Sequence, residues 1–177
     1  MKSMLIAAAL LGGGLAVSGP LSAASAPPAR IIPPSEALQH EHVLSSLQQI
    51  AGRTTATGSA ARQVIVVLNR YIAFENEAIL PQLTLLPALA SGTVRPDMIW
   101  AVAGTERLRE EQGTLQGMHR DIIATVLDLR AAAIEENDAA TIQLTEDLAA
   151  ADLAEVEVTE PTAVMIGELV RNKLPPT

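Results

Sequence analysis

Apolar residues recur at intervals of three and four along most of this chain. Val43, Leu44, Leu47 and Ile50 form one such series, and Val64, Val67, Leu68, Ala78 and Ile79 a second. Leu115, Ile122, Ile123, Val126 and Leu127 form a third, and Leu144, Leu148, Val158, Ile166 and Leu169 a fourth. Since one residue turns a helix by about 100°, each series is a stripe along one helical face. Start and stop signals bound these helices. Ser35 is placed to cap a first helix that ends at Ala51 before Gly52, and a second runs from Ser59 to Leu80 and stops at Pro81. A third extends from about Pro96 to Glu136, weakened in its first half by Gly104, Gly113 and Gly117. Asn137 and Asp138 open a fourth that reaches Lys173, with a kink expected at Pro161. The stretch 82–92 reads as an irregular connector. Long helices with short links predict an all-α, antiparallel up-down four-helix bundle over residues 35–174.

Residues 1–34 fall outside this pattern. Lys2, the apolar run from Met4 to Val17 and the small residues Ser22 to Ala26 have the layout of a secretory signal, with cleavage expected after Ala24. Residues 25–34 are Pro-rich and read as an extended tether. The expected location is exported, periplasmic or extracellular, with no transmembrane segment in the mature chain. Export to an oxidising compartment with no cysteine at all leaves neither disulfides nor thiolate metal sites, so a bound metal must be held by nitrogen and oxygen. The formal charge of −8 argues against a nucleic-acid partner, because phosphate binding needs a basic face.

The stripes also sort the ionisable side chains. Tyr71 and Glu75 fall on the apolar side of the second helix while Glu77 points away; Ala151 and Glu155 fall inside the fourth, with Glu157 outside. His119 is centred in the third stripe. In the first helix His40 stands three, four and seven residues before Val43, Leu44 and Leu47, as His119 stands before Ile122, Ile123 and Val126, whereas His42 projects to the other side. One histidine or one carboxylate from each helix therefore turns toward a common axis. Burying two glutamates among aliphatic side chains is costly unless they are paired, protonated or bound to a cation. A metal ion satisfies that requirement, and so does a pair of hydrogen-bonded Glu–His couples with no ion.

Glu75, Glu77 and Pro81 recur eighty positions later as Glu155, Glu157 and Pro161, each after a histidine-bearing helix. This doubled pattern, with Phe74-Glu75-Asn76-Glu77-Ala78-Ile79-Leu80-Pro81 and Pro161-Thr162-Ala163-Val164-Met165-Ile166, resembles the hemerythrin-like HHE cation-binding domain over about Glu36 to Lys173. The resemblance implies a carboxylate-bridged di-iron centre, with His40, Glu75, His119 and Glu155 as matching ligands. Where the family carries a histidine four residues before each glutamate, this chain has Tyr71 and Ala151. Tyr71 is a candidate phenolate ligand or a packing ring; Ala151 ligates nothing, and Asp147 one turn earlier is a remote substitute. The resemblance thus implies an atypical iron site, with manganese or zinc as the lesser candidates, for binding or sensing iron, oxygen or nitric oxide through a small diatomic ligand. The rival is a metal-free bundle acting as an interaction or structural module. A redox enzyme is the weakest reading, since no nucleophile–base pair or cofactor fingerprint occurs.

Overall fold

The computed structural model describes residues 31–174. The expected signal at 1–24, the tether residues up to 30 and the C-terminal Pro175-Pro176-Thr177 lie outside the described residues. Within them every regular element is helical. Helix α1 spans Pro34–Ala51, α2 Ala56–Ala78, α3 Leu80–Leu83, α4 Leu86–Ala90, α5 Trp100–Glu110, α6 Gln112–Glu135, α7 Ala139–Ala154 and α8 Glu160–Lys173. A 3₁₀ turn at Pro96–Met98 precedes α5, and a π-helical segment, Glu155–Thr159, joins α7 to α8.

The termini follow local chemistry. Pro34 starts α1 in place of the expected Ser35 cap, because its missing N–H is one the first turn leaves unbonded anyway. Thr55 caps α2 by accepting from the Gly58 N–H at 3.2 Å. A Cβ at Gly58 would stand 2.2 Å from the Arg53 carbonyl oxygen, so only glycine allows this tight entry. At the other end Pro81 redirects the chain instead of ending it: α2 closes at Ala78, the backbone shifts at Ile79, and α3 begins with the proline in its first turn. The expected irregular connector is therefore partly helical, through α3 and α4. The expected third helix is broken at Glu111, beside Gly113, into α5 and α6. Asp138 caps α7 by accepting from the Thr141 N–H at 3.1 Å and also pairs with Arg53, tying the α1–α2 turn to the α6–α7 turn.

Helix α1 packs on α2, α2 on α6, α6 on α7, and α5 on α8. Leu47, Val64, Ile79, Ile122 and Leu129 form the centre of the main core, all essentially sealed from solvent. Each such side chain contributes roughly 1.5–3 kcal/mol of burial. A second cluster at one end joins Leu85, Met98, Ala101, Ile166 and Val170, with Trp100 packed against it. Two expected stripes bend. Leu127 is exposed on α6, and Val158 and Leu169 are exposed in the last helical stretch. For Val158 and Leu169 the cause is the π segment, which winds more slowly than an α-helix and shifts the phase of the residues after Ala154 from that extrapolated from α7, while Ile166 of the same stripe stays buried.

No described helix is long and apolar enough to cross a membrane.

A candidate buried acid and histidine site

Glu75 sits on the buried face of α2 and is 1% exposed, although its neighbours are largely aliphatic. One of its oxygens lies 3.0 Å from His40 Nε2 of α1, and the other, Oε1, is buried with no hydrogen-bond partner. An ionised carboxylate in that setting needs a positive partner. His40 supplies it: its hydrogen bond to Glu75 outweighs burial and raises the imidazole pKa. His42 is exposed, as its phase predicts.

Glu155 approaches the same place from the first residue of the π segment. Burial, and then the negative charge of Glu75, push its carboxyl up to about 7, while a hydrogen bond with Thr159 opposes the rise. A second carboxyl brought beside the first in a poorly hydrated space ionises reluctantly, and Glu155 therefore keeps its proton to near neutrality. Tyr71 donates its hydroxyl toward Glu155 Oε2 at 3.5 Å, the outer limit of a hydrogen bond. Burial, then the surrounding carboxylates, raise the phenol far above its ordinary range, so Tyr71 acts as a neutral donor. A cavity of about 60 Å³ lies among these groups, lined by His40, Tyr71, Glu75, Ile122, Asp152 and Glu155. It draws on α1, α2, α6, α7 and the π segment.

His119 stands beside this cavity with its ring against Tyr71, centroids 5.0 Å apart and tilted by 58°. Its Nδ1 is 2.8 Å from Asp152 Oδ1 and its Nε2 is 2.6 Å from Glu160 Oε1. Burial opposes the charged ring, but the hydrogen bonds to Asp152 and Glu160 outweigh it and hold the pKa at about 9. At neutral pH His119 is thus an imidazolium with both ring N–H groups donated, and neither nitrogen has a lone pair to offer.

The structure therefore gathers His40, Tyr71, Glu75 and Glu155 around one cavity and places His119 next to it in a clamp of its own. Glu77 and Glu157 face outward, and Glu77 pairs with Arg107 at 2.9 Å. Ala151 lines the cavity but carries no donor, and Asp147 is engaged with Gln143 at 3.0 Å. Asp152 and Glu160 are the partners that sequence periodicity misses. They are eight residues apart, which on a continuous α-helix leaves them about 80° out of phase. Pro161 was the available signal, because a proline that cannot donate to the preceding turn favours a local π winding there.

In the side-chain positions found, no three His, Asp or Glu groups among the described residues are placed to hold one ion together. The donor chemistry of the cavity still suits a cation, as an orphaned, fully buried carboxylate oxygen on Glu75 faces a second carboxyl and a histidine. The two-metal set that includes His119 does not fit the clamped, doubly donating imidazole. Compared with known proteins, the chain matches no family model, no curated protein and no solved structure.

Proposed function

We propose that this chain is an exported, hemerythrin-like four-helix bundle that binds one metal cation between Glu75, Glu155 and His40. The rods of that bundle are α1, α2 with α3, α5 with α6, and α7 with α8. The observation that carries the reading is the pairing of Glu75, sealed and with an unsatisfied oxygen, with Glu155, whose proton a cation would replace. Carboxylate oxygen and imidazole nitrogen suit iron first, then manganese or zinc. When bound, the ion would neutralise the two carboxylates and offer an open position to a small diatomic ligand. The chain's own residues do the rest. Glu75, Glu155 and a deprotonated His40 would hold the ion, and Tyr71 would remain a neutral donor at the rim. His119, fixed by Asp152 and Glu160, stacks on Tyr71 and supplies fixed positive charge beside the site. That charge weakens cation affinity and suits a sensor or a loosely held ion better than a permanent cofactor.

A second reading has its own support. Without any ion, the His40–Glu75 couple, the proton on Glu155 and the His119 clamp already satisfy nearly every charge, as a metal-free interaction or structural module requires. The two readings differ in linkage: a cation that binds only the folded chain raises its melting temperature. Saturating ferrous iron, manganese or zinc should raise Tm under the first reading; no shift with any of the three supports the second.

A further inference from the structure

On the outer side of His119 a second, much larger space opens between α5–α6 and the π segment with α8. It is a groove of about 820 Å³, within the range of small-molecule sites. Its floor is apolar: Leu108 and Leu115 are almost fully buried beneath it, and Val164 packs into the core from the same wall. Its rim exposes large apolar side chains, with Met165 65% and Val156 43% exposed.

Apart from Glu160, the polar groups of the groove are amides and cations. Gln112 and Gln116 offer amide donors, and Arg109 and Arg120 bring two guanidinium groups. His119 and Glu160 reach the floor already paired with one another, at 2.6 Å. Arg109 is held by Glu168 at 2.6 Å, whereas exposed Arg120 has no ion-pair partner among the described residues. A lining with excess positive charge is notable on a chain of net charge −8, and it sits beside an apolar trough. Exposed aliphatic and thioether surface beside a lone arginine is the complement of an apolar tail ending in an acid.

We propose that this groove binds a free, single-chain carboxylate amphiphile, with the tail along Leu108, Leu115, Val156 and Met165 and the carboxylate on Arg120. The assignment is independent of whether a cation occupies the inner cavity. The groove is separated from that cavity by the His119 clamp, with Asp152 on the inner side and Glu160 on the outer.

The test is isothermal titration of the full chain with dodecanoate below its micelle concentration. Saturable binding at one site is expected, weakened about tenfold or more in Arg120→Glu and in Met165→Glu, both at exposed positions that leave the core untouched. Arg70→Glu, an exposed charge reversal on α2, should bind as the parent chain does. Failure of dodecanoate to saturate overturns the proposal, as does parental affinity in Arg120→Glu. Equal affinity for a cationic amphiphile of the same tail length also overturns it, because the arginine would then select nothing. Binding to phosphatidylglycerol vesicles without binding of monomeric dodecanoate would reassign the surface to membrane contact and overturn the free-ligand claim.

Discussion

Asp152 and Glu160 grip opposite edges of one imidazole, although a regular helix would leave them about 80° out of phase. Asp152 takes Nδ1 of His119 at 2.8 Å and Glu160 takes Nε2 at 2.6 Å. The π segment between them makes this convergence possible, and such insertions are frequent at functional sites.

Because two carboxylates stabilise the imidazolium, removing either should release it. Asp152→Asn and Glu160→Gln are each expected to lower the His119 pKa from about 9 toward its ordinary 6.5. The titration of the His119 ring protons by NMR reads this directly. A His119 pKa unchanged in both variants would mean that the clamp is not formed in solution.

Stability should fall as pH rises across the neutral range. Folded Glu155 keeps its proton up to about 7, whereas the unfolded carboxyl ionises near 4.5. Its contribution is therefore complete below about 4.5 and lost as pH rises through about 7. His119 has the same sign, complete below 6.5 and lost as pH rises through about 9, and the raised pKa of His40 acts in the same direction. Melting temperature measured in chelator-treated buffer should thus decline in two limbs. Glu155→Gln should flatten the lower one.

The crossing of α5 and α8 depends on Gly167. A Cβ there would lie 1.9 Å from Thr105 Oγ1 and 2.8 Å from the Ala101 carbonyl oxygen. Thr105 cannot simply move aside, since it is fully buried and donates to Gln82 Oε1 at 3.2 Å. Gly167→Ala should destabilise the chain by about 1–3 kcal/mol, read from denaturant unfolding. Gly113→Ala, where the added methyl meets nothing, should be neutral or slightly stabilising.

The helical class was legible because a 3.6-residue period holds well enough along the first two helices and the centre of the third to locate Leu47, Val64 and Ile122 in the core, although Leu127 of the third stripe is exposed. The same phase separated Glu75 from Glu77 and His40 from His42, since those pairs differ by two residues, or about 200° of rotation. The period failed where the winding changed. Val158 and Leu169 were assigned to the core and are exposed, and Asp152 and Glu160 were missed, because a five-residue π segment shifts the phase in a way that hydrophobicity does not record. The break at Glu111 was hinted at by Gly113. Nothing in local sequence marked the groove, which arises from how α5, α6 and α8 are set against one another.

The central claim is that Glu75 and Glu155 meet in order to hold a cation. Its most direct test is the metal-to-protein ratio of the full chain after anaerobic equilibration with ferrous iron and removal of unbound ion, compared with Glu75→Gln. The account predicts near one ion per chain in the parent protein, a large loss in Glu75→Gln and no loss in His42→Ala. A parent protein that emerges free of metal, or a Glu75→Gln variant that retains it in full, would contradict the account.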